Sequence, residues 1–91
     1  MDFEWDEAKA ETNLRKHGVT FLEASEVFRD PLSDTFDDPD HSDREDRFLI
    51  IGATGAGRLL FVAFTERDET LRIISAREAT RQERYEYENQ S

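Results

Sequence analysis

Residues 47–77 read RFLIIGATGAGRLLFVAFTERDETLRIISAR, and this stretch decides the fold. Three apolar runs, Arg47 to Ala53, Arg58 to Glu66 and Leu71 to Arg77, are rich in the β-branched and aromatic residues that favour strands. Between them lie the glycine-rich turn Gly55-Ala56-Gly57 and the polar turn from Arg67 to Thr70. Loops this short join antiparallel neighbours, so the stretch predicts an antiparallel meander. Drawn with those turns, Arg58 pairs with Thr54 and Leu60 with Gly52, while Arg67 pairs with Thr70 and Leu60 with Arg77.

The flanks predict helices. Phe3 and Trp5 alternate with acids as a short first strand, and Asp6 then caps a helix that runs to His17 and stops at Gly18. Thr20 and Glu23 form a capping box for a second helix, with Val19 and Ala24 as its staple and Phe21, Ala24, Val27 and Phe28 as its buried stripe. Asp30-Pro31 ends it. Residues 32–46 are turn-rich and acidic, with a short strand expected over Leu32 to Phe36. A second capping box, Thr80 with Glu83, starts a terminal helix through Tyr85 and Tyr87. The expected class is α+β: two N-terminal helices and one C-terminal helix on an antiparallel sheet, in a single domain over residues 1–91.

Composition excludes several functions. With no cysteine among 91 residues there is no disulfide scaffold, thiolate metal site or cysteine nucleophile. His17 and His41 do not stand at metal-ligand spacing from other donors, and the acidic segment holding Asp34, Asp37, Asp38, Asp40 and Asp43 lacks the glycine and terminal glutamate of a calcium loop. No metal and no cofactor is expected. The start of the chain has neither a basic n-region nor an apolar h-region, and no run is long enough to cross a bilayer, so the expected address is cytoplasmic.

The net charge of −10 opposes high non-specific affinity for nucleic acid. Its distribution matters more than its size. Residues 30–46 hold eight acids against Arg44 alone, whereas residues 47–91 balance seven against seven. In the register above, Arg58 and Arg77 share a face at one end of the sheet, roughly 7 to 8 Å apart at the backbone. Arg81 and the helix start after Thr80 bring further positive potential there, with Tyr85 one turn on. Two arginines beside a helix start suit charge developing on a phosphoryl group, with Tyr85, Glu78 or Glu83 to move protons. At the opposite end Arg47, Thr65 and Arg72 form a row beside Glu45 and Arg67. That cluster contains its own counter-charges; it reads as a structural end, or as a second site with Glu45 as base.

Several stretches together carry a resemblance to a known family. They are Trp5-Asp6 with Lys9 and Asn13, Lys16-His17-Gly18-Val19 with Phe21, Val27-Phe28 with Asp30-Pro31, Arg47-Phe48, Ile51-Gly52, Gly57-Arg58-Leu59-Leu60, Thr65-Glu66-Arg67, and Arg72-Ile73-Ile74-Ser75-Ala76-Arg77. In this order the chain resembles the BrnT ribonuclease toxins, which share the RelE-like fold. The resemblance implies a toxin that cleaves RNA without a metal and arrests translation. It also implies a DNA-binding, BrnA-like antitoxin as partner, with operator DNA reached only through that antitoxin and no membrane involved. Carried over by place in the fold, it makes Arg58, Arg77, Arg81 and Tyr85 the catalytic candidates and Lys16 and His17 the RNA contacts. Glu45, Arg47, Arg67 and Arg72 form the alternative site. A competing reading keeps the fold but makes the protein chiefly the antitoxin's binding partner and co-repressor.

Overall fold

The computed structural model describes residues 1–38 and 46–90, so Asp40, His41, Asp43, Arg44 and Glu45 of the acidic segment lie outside the described residues. Five strands form one sheet in the order β1-β5-β4-β3-β2. They are β1 (Asp2–Glu4), β2 (Asp34–Asp37), β3 (Arg47–Ala53), β4 (Leu59–Arg67) and β5 (Thr70–Glu78). The meander expected over residues 47–77 is present, extended at one edge by β2, antiparallel to β3. The sheet is nevertheless mixed. β1 pairs parallel to β5, Phe3 opposite Leu71, because helices α1 (Glu7–His17) and α2 (Phe21–Ser25) carry the chain away before β2 begins.

Local signals act where the sequence puts them. The Asp6 side chain accepts the Lys9 amide, and Gly18, at φ 67°, ends α1 in the left-handed conformation that glycine adopts without penalty. Thr20 caps α2, which tightens after Ser25 into a 3-10 turn, Glu26–Arg29. This turn packs so close to β3 that a Cβ on Gly52 would stand 3.0 Å from the Val27 carbonyl oxygen, so any larger residue would push the turn off the strand by a few tenths of an ångström. Both elements lie on one face of the sheet, where Val19, Phe21, Ala24 and Val27 meet Ile50, Leu60, Val62, Phe64, Ile73 and Ala76. Trp5 packs edge-on against Phe21 at 6.0 Å, which gives it a place beside the core.

Helix α3 (Arg81–Glu88) buries none of its residues and is held by polar contacts. The Glu83 carboxylate takes two hydrogen bonds from Arg77 on β5, the Tyr87 hydroxyl donates to Asp30, and the Gln90 amide donates to the Leu32 carbonyl. Asp30 in turn accepts the Ala53 amide at the end of β3. The helix therefore crosses the end of the sheet from β5 toward β2.

Asn13 joins α1 to the sheet. β1 covers the edge of β5 only as far as Arg72, and beyond it the Asn13 carboxamide continues the pairing. It donates to the Ala76 carbonyl at 2.8 Å and accepts the Ala76 amide at 3.0 Å, while also donating to the Val19 carbonyl at 3.0 Å. The side chain is 6% exposed. Replacing it with Ala strands three backbone groups in a dry site, each costing about 1 to 3 kcal/mol before relaxation. We expect Asn13→Ala to lower stability by about 2 to 4 kcal/mol and the melting temperature by on the order of 10 to 20 °C. A thermal melt within about 2 °C of the parent would show that the edge is satisfied in another way.

Candidate active site at the end of the sheet

The expected arginine pair is split. Phe64 pairs with Ile73 but Ala63 with Ser75, leaving Ile74 as an extra residue in β5. This bulge shifts the register by one position, so Leu60 faces Glu78 and Arg77 faces Phe61. Alternate residues point to opposite sides of a strand, and Arg58 shares the helix-covered face with Leu60 while Arg77 lies on the other. The two do not flank one position, as the turn lengths alone predict.

On the helix-covered face, Arg58 is anchored through both its backbone and its guanidinium. Its amide meets the Thr54 hydroxyl at 3.2 Å, Nη1 donates to Glu23 at 2.6 Å, and Nη2 donates to the Gly18 carbonyl at 3.3 Å. Glu78, an exposed carboxylate, stands 3.6 Å from Nη2. The Arg58 side chain remains 31% exposed, so it is positioned without being sealed in. The capping box expects Glu23 to reach back to the Thr20 amide; its own amide donates to the Thr20 hydroxyl, but its carboxylate is drawn to Arg58 instead. Nothing in the spacing of Glu23 signals that role. Because the Gly18 carbonyl holds Arg58, the end of α1 with Lys16 and His17 is brought to the same corner.

On the other face, Arg77 lies 4.6 Å from the centre of the Phe61 ring and forms the two bonds to Glu83. The bond from Arg77 outweighs burial and holds the Glu83 carboxyl below its ordinary value, while Glu83 raises Arg77 further. Glu83 also accepts the Thr80 amide, completing the expected capping box. It is a structural anion and a poor proton acceptor. With Glu83 and Tyr87 turned toward the sheet, helical spacing directs Arg81 and Tyr85 outward, one turn apart and exposed. The four catalytic candidates therefore occupy one end of the molecule but not one pocket.

At the far end, Arg47, Thr65 and Arg72 do form the expected row. Arg72 pairs with Glu4 at 2.7 Å, a partner that follows from the parallel pairing of β1, and Glu45 lies outside the described residues. Arg67 is also engaged. Among the described residues no three His, Asp or Glu side chains are grouped to hold a metal, and no helix is long and apolar enough to cross a membrane.

The comparisons with known proteins agree with this architecture. The family model described as the ribonuclease toxin, BrnT, of type II toxin-antitoxin systems matches residues 5–83. The chain belongs to the BrnT ribonuclease toxin family. The crystal structure of the Brucella abortus ribonuclease toxin, BrnT, is similar over 89% of this chain and 99% of that one, with 27% identity and a TM-score of 0.68. No curated protein sequence matches the chain. As a member of the BrnT family it has an antitoxin as its partner class.

The charges that hold α3 make the BrnT fold pH-sensitive at both extremes. Burial would raise the Asp30 carboxyl, but bonds from Tyr87 and the Ala53 and Leu32 amides outweigh it and leave it lowered, as Glu83 is. Their contribution is present above the unfolded carboxylate values near 4 and is lost as pH falls through the lower folded values. Burial and the bond to Asp30 push Tyr87 up to about 12. Its contribution is complete below the unfolded value near 10 and disappears as pH rises through about 12. Melting temperature against pH should therefore fall at both limits, and Tyr87→Phe should flatten the alkaline limb and also weaken the acid limb through Asp30, which loses the bond that lowers it. An alkaline limb unchanged in that variant would remove Tyr87 from the latch.

Proposed function

We propose that the chain is a metal-independent endoribonuclease that acts in the cytoplasm on RNA and arrests translation and growth. Its working centre is the corner formed by Arg58 and Glu78. The observation that carries this reading is the half-exposed Arg58 guanidinium, fixed by Glu23 and the Gly18 carbonyl and set beside an exposed carboxylate. On this reading the fold is a variant of the RelE-like toxin fold, and the neutralising partner is a DNA-binding, BrnA-like antitoxin that carries the complex to operator DNA.

Cleavage requires the 2′-hydroxyl to attack the adjacent phosphorus, forming a 2′,3′-cyclic phosphate and expelling the 5′-oxygen. Glu78 accepts the 2′ proton, Arg58 donates to the phosphoryl oxygens as negative charge builds on them, and the 5′-oxygen takes its proton from Tyr85 or solvent. Arg81 and Tyr85 meet the RNA from the outer side of α3, and Lys16 and His17 contact it at the end of α1. Arg77 acts as a positioning residue by holding α3 through Glu83.

A second reading, that of an antitoxin partner with weak catalysis, is favoured by one feature: Arg58 and Arg77 both already engage carboxylates. Induction separates the two readings. Arg58→Ala removes a transition-state contact worth about 3 to 4 kcal/mol, so RNA cleavage by the purified protein should fall roughly a hundred- to thousand-fold and growth arrest should disappear. Glu78→Gln should lower kcat with little change in KM. Both variants should still fold, because each position is exposed or half-exposed. Arg72→Ala is the control and should retain cleavage. Full toxicity of Arg58→Ala, with loss of it in a folded Arg72→Ala protein, would place the centre at the opposite end of the sheet.

A further inference from the structure

Beyond the corner at Arg58, a groove of about 310 Å3 runs between α1 and the edge of β5. One wall is the face of α1 that bears Lys9, Thr12, Asn13, Lys16 and His17, and the other is Ile74 and Ser75. The floor follows from the sheet. β1 pairs with β5 only from Thr70 to Arg72, and Asn13 closes the edge again at Ala76, so the stretch between them has no strand neighbour on that side. The bulge at Ile74 sits in this interval, where an extra residue redirects the strand's side chains.

The groove is cationic in a chain of net charge −10, and no carboxylate lines it. At 100° per residue, Glu7 and Glu11 fall on the opposite side of α1 from Lys9 and Lys16. Lys9 and Lys16 form none of the ion pairs that hold Arg58, Arg72, Arg77 and Arg84 among the described residues. Lys16 and His17 are in the last turn, where the helix dipole favours a cation, but Lys9 is in the first turn, where it does not. The helix dipole gives no reason for a lysine at that position. Seven residues of helix place the two ammonium groups on one face about 10 Å apart along the axis, with the Thr12 hydroxyl between them.

We infer that this groove holds the sugar-phosphate backbone of single-stranded RNA, with Lys9 and Lys16 each against a phosphate, and leads the strand past His17 to the corner at Arg58. The inference deepens the ribonuclease reading and rests on it, since it names where the substrate lies away from the bond being cut. Phosphate contact without base contact makes the groove a source of affinity rather than of sequence preference. Ser75 supplies a hydroxyl that suits the same backbone, while the Thr12 hydroxyl donates to the Ala8 carbonyl within the helix.

The test is binding of a fluorescent single-stranded oligoribonucleotide blocked by 2′-O-methyl groups, followed by anisotropy from about 50 to about 200 mM KCl. Each lysine that meets a phosphate contributes about 0.7 to the slope of log affinity against log salt. Lys9→Ala and Lys16→Ala should each lower the slope by about that amount, and the double variant should bind roughly twenty-fold more weakly near 0.1 M salt. The melting temperature should fall by no more than a few degrees, the loss of a helix-end cation at Lys16, and Arg29→Ala, an exposed cation outside the groove, should leave the slope alone. The blocked RNA keeps this readout separate from cleavage. If Arg58→Ala still cleaves while the lysine variants lose salt dependence, the catalytic assignment falls and the groove stands. Unchanged affinity and slope in the double variant, no binding by the parent protein, or loss of antitoxin binding with RNA binding intact would each overturn the inference.

Discussion

A single carboxamide closes the fold. β5 lies next to the sheet edge, and the strand outside it is only three residues long, so half of β5 would otherwise face solvent or another chain with open amides and carbonyls. The Asn13 carboxamide both donates and accepts as a strand neighbour would, and it does so on Ala76 while tying down the loop after α1 through Val19. The position of α1 follows from that bond. So do the corner where Gly18 meets Arg58 and the groove that α1 forms with the strand edge.

The second constraint is the bulge in β5. One extra residue turns what the turn lengths describe as a two-arginine clamp into two separate uses of arginine. Arg58 stays on the helix-covered face, exposed enough to meet a ligand and held by Glu23 and the Gly18 carbonyl. Arg77 goes to the other face, where stacking on Phe61 and two bonds to Glu83 make it a support for α3. Without a buried residue of its own, α3 depends on such polar contacts, and the Asp30 carboxylate is the hub that links Tyr87 to the end of β3.

Charge is segregated in the same way. Carboxylates that sit among arginines are spent on them: Glu23, Glu4, Glu83 and Glu88 each hold one. The basic face of α1 is left open because Glu7 and Glu11 are turned away by the helical repeat. A chain with a large negative total can therefore present a local cationic track, while its net charge limits indiscriminate adhesion to polyanions.

The sequence alone determined the elements, because each is written in local chemistry: period-two apolar runs and turns for β3 to β5, Asp6, Thr20 and Thr80 as caps, Gly18 as a stop. It also determined the family, through the order of short motifs from Trp5 to Arg77. Only the tertiary structure decided which charges meet. The parallel seating of β1, which gives Arg72 to Glu4, and the docking of Asn13 are contacts between residues some sixty positions apart, for which local periodicity carries no signal. The face on which Arg77 emerges was decided by one inserted residue, since a strand alternates with period two and a single extra position reverses every side chain beyond it.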